Sequence, residues 1–194
     1  MSRSMALQAF NVDIVRVLDA ERLAWVSGDD AADQLSLCGN QDYMDLRGAG
    51  WPWVEETIAL ERGLLARFAQ EPESELAYLA YRDEIYGDED NLLASLDLGV
   101  ASVVLGLSAA GCVPCSSCNG GALGDGGHTA ECPSVVFYLR RDLVGLVMTC
   151  AEDADVGLEQ TQYGEVVVYA RDVADLVTFA AALLAYREMM LPTP

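Results

Sequence analysis

Apolar residues recur along this chain with two different periods, helical in the first half and strand-like in parts of the second. Between residues 5 and 26, Phe10, Ile14, Val17, Leu18 and Trp25 fall at helical spacing while Asp13, Asp19 and Glu21 take other faces. That spacing predicts an amphipathic helix, ended by Ser27-Gly28-Asp29-Asp30. Residues 29–53 are rich in Gly, Asp and Asn and read as irregular, with a short helix over 30–38. A second helix is predicted over 54–69, on Ile58, Leu60, Leu64, Leu65 and Phe68. A third is predicted over 74–86, on Leu76, Leu79 and Ile85 with Tyr78, Tyr81 and Tyr86 alongside. Pro72 separates these two, because proline fixes its own φ and restricts its predecessor. The acids of Gly87-Asp88-Glu89-Asp90 stand where they would cap the next helix.

That next helix, over 91–110, is the most apolar of the chain. Leu92, Leu93, Leu96, Val100, Val103, Val104 and Leu107 form one stripe, and Ala94, Gly99, Ala101, Gly106, Ala109 and Ala110 fill the other faces. Small residues permit close approach of neighbouring backbones, which places this helix centrally. Asp97 then belongs either at an edge or in a paired arrangement, since an unpaired buried carboxylate is costly.

Beyond residue 133 the period changes. Strands are predicted over 134–139, 156–160 and 165–170, the last two joined by a turn at Tyr163-Gly164. A short helix is predicted over 142–150 and a final one over 172–190, with Asp172 as its N-cap. The expected fold class is α+β. It has a mostly helical N-terminal half, a small mixed or antiparallel sheet of about three strands in the C-terminal half, and a C-terminal helix. Neither a repeat nor a long linker divides the chain. Residues 1–194 read as a single domain, with a helical part to about 110, a Cys/Gly loop over 111–133 and an α/β part over 134–194.

Composition narrows the partners. The 194 residues are 52% hydrophobic and carry 31 acidic against 11 basic side chains, a net charge of −20; every basic residue is arginine. Without a basic stripe, direct nucleic-acid binding is not expected, nor is docking on an anionic membrane. A basic protein partner fits this charge. The longest uncharged stretch, 98–124, stays apolar only to about Ala110, short of the roughly 20 apolar residues a membrane span takes. The first residues contain Asp13 and Arg16 within their apolar stretch and have no signal-peptide organisation. A cytoplasmic location is therefore expected, with the cysteines as thiols or metal ligands before disulfides.

Candidate chemistry concentrates between Cys112 and Cys132, where four of the six cysteines and the single histidine fall within 21 residues. Cys-x2-Cys and His-x3-Cys are ligand-pair spacings. A zinc site on Cys112, Cys115, Cys118, His128 and Cys132 is one reading. An iron–sulfur cluster is another, since Cys112, Cys115 and Cys118 followed by Cys132-Pro133 look like a ferredoxin ligand run, although the fourth cysteine comes too late. A third is catalysis by Cys118 activated by His128. Against all three stands buried cysteine acting as a small apolar side chain, the role expected of Cys38 and Cys150.

The text LSAAGCVPCSSCNGG over 107–121, with the later Gly-x-His and the strand VVFYLR, resembles a group of uncharacterised bacterial proteins. In that group the position of Cys115 is often a bulky apolar residue. The resemblance therefore implies Cys112, Cys118 and His128 as the stronger site candidates, and it implies no activity. Trp51-Pro52-Trp53 is expected to pack, and would be an interface anchor if exposed. The favoured expectation is a non-enzymatic protein-binding or inhibitory, immunity-type domain whose Cys/His/Gly loop matters structurally. The alternative is a metal-binding (zinc or iron–sulfur) or cysteine-dependent enzyme centred on that loop.

Overall fold

The computed structural model describes residues 7–27, 46, 48–71, 73–85, 87–88, 91–124 and 130–190. The fold is α+β. Five strands form one mixed sheet: β1 (Arg16–Val17), β2 (Val113–Cys118), β3 (Ser134–Tyr138), β4 (Gly157–Gln160) and β5 (Val166–Tyr169), in the order β1-β4-β5-β3-β2. β1 runs parallel to β4 and every other pair is antiparallel. The helices described are α1 (Trp51–Phe68), α2 (Ser74–Ile85), α3 (Ala101–Ala109), α4 (Val144–Asp153), α5 (Val173–Ala185) and the short α6 (Arg187–Met190).

Strand alternation explains the layering. Val135 and Phe137 of β3 register with Val168 and Val166 of β5, and all four are buried with the helices in one core. Val136 and Tyr138 point the other way and pack with Val113, Cys115 and Val26 in a second, small cluster. α1, α3 and α5 pack on one another over the first face. Phe68, Phe137, Phe179, Leu105, Leu107 and Leu158 are wholly buried there, each such side chain stabilising the fold by roughly 1.5–3 kcal/mol. α3 is central, as its composition predicts: Ala101 through Ser108 are all buried.

Three expectations are corrected. Residues 7–26 do not form a helix; they run extended into β1 and then make a 3₁₀ turn at Ala20–Arg22 capped by the Asp19 side chain. From Phe10 to Asp19 exposure alternates residue by residue, with Phe10, Val12, Ile14, Arg16 and Leu18 on the shielded side. The β-branched run Val12, Ile14, Val15 and Val17 suits this pleat better than a helix. The sheet accordingly has five strands, not about three: β1 comes from this segment and β2 from the stretch expected to be a loop.

The continuous helix expected over 91–110 is broken. A 3₁₀ turn at Leu92–Ala94 precedes α3, and Gly99 sits between them at φ 92°. A Cβ on Gly99 would lie 2.0 Å from Val173 Cγ2, so both the backbone and the packing require glycine. Finally, the caps described for this stretch come from Asn91 and Glu61. Asn91 Oδ1 accepts from Leu93 N in the 3₁₀ turn, and the start of α3 is capped by Glu61 of α1 (below). Glu89, Asp90, Cys38 and the short helix expected over 30–38 lie outside the described residues. By contrast, Asp172 caps α5 as expected, Oδ1 accepting from Ala174 N at 2.8 Å. Tyr78 is buried and stacks edge-on against Phe68 at 5.7 Å between ring centres.

Candidate functional site

The segment from Cys112 to Cys132 begins at the end of α3. Gly111 N donates to Ser108 O and Cys112 N to Leu107 O, the paired bonds that close a helix C-terminus. Cys112 is thereby turned into the main core, fully buried. Burial pushes its thiol up to about 11, despite the nearby Arg140 guanidinium. At neutral pH it is a thiol without water access, behaving as a small apolar side chain.

β2 then pairs with β3, with an irregularity between Pro114 and Ser116 that leaves Cys115 without a register partner. Cys115 Sγ donates to Val136 O at 3.5 Å, in the small cluster on the other side of the sheet from Cys112. The strand geometry thus places these two cysteines in separate apolar clusters. Cys118 ends β2 opposite Ser134.

A tight turn follows. Ala122 N donates to Asn119 O at 3.2 Å across Gly120 (φ 68°) and Gly121 (φ 73°). Two consecutive positive φ angles define a type I′ turn, which explains the Gly-Gly pair. Gly120 N donates to Cys118 Sγ at 3.3 Å, and Gly121 N to Asn119 Oδ1 at 2.9 Å. Asn119 N donates to Asp97 Oδ2 at 3.2 Å, so Asp97 takes one of its two expected placements, the paired one, and ties this turn to the approach to α3.

Extending the ladder beyond the Cys118–Ser134 pair brings Gly120 opposite Cys132. Contact agrees, since a Cβ on Gly120 would lie 2.8 Å from the Cys132 carbonyl carbon. Cys118 and Cys132 are therefore diagonal neighbours and, unlike Cys112, Cys115 and Cys150, both are partly exposed. Burial raises the Cys132 thiol, and the charges of Glu131 and Cys118 raise it further. His128 lies outside the described residues. Among the described residues no group of three or more His, Cys, Asp or Glu side chains is placed to hold a metal ion. Of the five cysteine and histidine candidates, the structure brings together Cys118 and Cys132.

A second concave region lies on the helical layer. Trp53, Glu56, Thr57 and Leu60 of α1 line a cleft of about 430 Å³, closed on the other side by Asp88, Asn91 and Leu93. Trp51-Pro52-Trp53 forms the first turn of α1, where proline's missing N–H is no loss. Trp51 packs against the core, whereas Trp53 is 56% exposed and Leu60 is 46% exposed. The expectation that the tryptophan pair packs thus holds for one member. Among the described lining residues, Glu56 and Asp88 are carboxylates and none is a cation.

Sequence reasoning missed Glu61. It stands in the spacing Val54, Ile58, Glu61, Leu65, Phe68, all buried on α1. Its carboxylate accepts from Gly99 N at 2.7 Å, Ala101 N at 3.1 Å and Ser102 N at 3.2 Å. These are N–H groups at the start of α3, left without intrahelical acceptors and met here by a side chain of another helix. Burial raises the Glu61 pKa, and the hydrogen bonds oppose that rise. An acid in the register of an apolar stripe was the available signal.

The fold and these surfaces define a mixed-sheet α+β protein with helices packed on one face of the sheet. No family model matches the chain, and neither a curated protein nor a solved structure matches it. Among the described residues no helix is long and apolar enough to cross a membrane.

Proposed function

We propose that this protein is a non-enzymatic binding domain whose cleft between α1 and the Asp88–Leu93 segment takes a basic, leucine-bearing segment of another protein. The observation that carries the reading is the pairing of solvent-exposed Trp53 and Leu60 with Glu56 and Asp88 in one concavity. An apolar floor rimmed by carboxylates accepts an aliphatic side chain and an adjacent guanidinium or ammonium together, and Trp53 offers a ring face to a cation. The net charge of −20 adds long-range attraction for a basic partner and speeds encounter. An inhibitory or immunity-type role against a basic protein is consistent with that attraction.

Calorimetric titration with a synthetic helical peptide carrying Arg and Leu four residues apart tests the proposal. Binding is expected for that peptide and not for its Glu/Leu counterpart, and Glu56→Arg should weaken it about tenfold, a typical effect of one reversed rim charge. Equal affinity for both peptides, or indifference to Glu56→Arg, contradicts the reading. The alternative, a metal- or thiol-dependent site, is favoured by one observation, the shared position of Cys118 and Cys132. Metal analysis of untagged protein decides it, with one equivalent of zinc supporting that alternative.

A further inference from the structure

We propose that Cys118 and Cys132 are a reactive dithiol that a small disulfide oxidises to an intramolecular bond. This inference is independent of the binding cleft. Its basis is the antiparallel register: Cys118 opposes Ser134, and the next step of the ladder sets Gly120 against Cys132, within 3.1 Å of its Cα for a Cβ built on Gly120. The two cysteines are thus diagonal neighbours across the end of one strand pair. Diagonal positions lie about 7–8 Å apart between Cα atoms, and a disulfide takes less than about 7 Å. The type I′ turn at Gly120-Gly121, where regular pairing ends, is the place at which that difference can close.

The other three described cysteines are buried and out of reach of a water-borne oxidant. The chemistry divides between the two thiols. Gly120 N donates to Cys118 Sγ at 3.3 Å, a bond that strengthens when the sulfur is negative. Cys118 is accordingly the attacking sulfur, while Cys132, raised by burial and by neighbouring negative charge, remains a thiol at this stage.

The Cys118 thiolate attacks one sulfur of the small disulfide. The S–S bond breaks, one small thiolate leaves and is protonated by water, and a mixed disulfide stands on Cys118. Cys132 then gives its proton to solvent and attacks the Cys118 sulfur, expelling the second small thiolate, which is protonated in turn. Two protein thiols are oxidised, one small disulfide is reduced to two thiols, and protons balance.

The test is incubation of the native full chain with oxidised glutathione, read by intact mass and by peptide mapping without reduction. The expected result is a loss of about 2 Da with a single Cys118–Cys132 linkage and with Cys112, Cys115 and Cys150 unmodified. Cys132→Ser should instead hold a stable glutathione adduct on Cys118, and Cys118→Ser should gain none on the same timescale. Far-ultraviolet circular dichroism confirms that both variants are folded, and the wild-type map stands without them. A stable adduct on Cys118 or Cys132 of the wild type, a linkage of either to another cysteine, or no reaction of the pair overturns the proposal. So does protection of both thiols by a bound equivalent of zinc.

Discussion

Glu61 is the residue on which two helices depend. It lies wholly buried in α1 and supplies the acceptors for three N–H groups at the start of α3. Replacing it with alanine leaves those donors buried and unmet, at about 1–3 kcal/mol each for an unsatisfied group, less whatever the site recovers by relaxing. Glu61→Ala should therefore lower the urea midpoint by the equivalent of roughly 3 kcal/mol or more, and Glu61→Gln, which keeps one acceptor oxygen, by less. The pH dependence follows from the raised pKa. The folded state holds this proton more tightly than the unfolded chain does. The contribution is therefore fully present below the unfolded carboxyl pKa and is lost as pH rises through the higher folded value. Glu61→Gln should flatten that slope in denaturation curves taken across the acid range. The role of Glu61 is only half legible in the sequence. Its place in the stripe between Ile58 and Leu65 signals burial, but nothing local indicates that the donors lie about 40 residues later.

At the scale of elements, the Tyr169 hydroxyl adds to the β1–β4 pairing that holds the N-terminal segment on the sheet. Tyr169 OH accepts from Val15 N at 3.2 Å and donates to Asp13 O at 3.1 Å, beside the Leu158 N to Val15 O bond of 2.8 Å. Tyr169→Phe should cost about 1 kcal/mol per lost bond at most. Amide exchange should quicken at Val15 and Leu158, while Val135 and Val168 in the sheet centre keep their protection. Asp172→Ala removes the α5 cap and should cost about 1 kcal/mol in thermal or urea unfolding.

Helices α1, α2 and α5 and strands β3, β4 and β5 are readable from sequence because each has one consistent period and recognisable ends. β1 is not, since Phe10, Ile14, Val17 and Leu18 satisfy a helical spacing by coincidence while the exposure follows a period of two. β2 is hidden by its content of cysteine, serine and proline, which read as a loop or a ligand run. The same content drew attention to Cys112 and Cys115, which the strand and the helix end turn into apolar clusters. Cys118 and Cys132 are legible as candidates, whereas their adjacency needs the register. The cleft joins residues of α1 to Asp88, Asn91 and Leu93, a juxtaposition no local pattern encodes.

For the molecule as a whole, a charge of −20 on 194 residues bears on stability and, under the proposed function, on the choice of partner. Self-repulsion among 31 acidic side chains weakens the folded state at low ionic strength. Raising sodium chloride from about 10 to 500 mM shortens the Debye length from about 30 Å to a few ångströms, and the thermal midpoint should rise. Over the same range affinity for a basic segment should fall, because its attraction is screened while the apolar contact to Trp53 and Leu60 is kept. The Trp53 contribution is separable. Trp53→Ala should cost about 2 kcal/mol, roughly thirtyfold in affinity, with little change in stability, since its side chain already faces water.

The most direct measurement of the binding claim is a map of backbone amide chemical shifts on titration with the Arg/Leu peptide. Binding in the cleft predicts perturbations concentrated at Trp53, Glu56, Thr57, Leu60, Asp88, Asn91 and Leu93, and their loss in Trp53→Ala. Perturbations centred instead on Cys118, Cys132 and their strand neighbours, or spread evenly over the acidic surface, would contradict it.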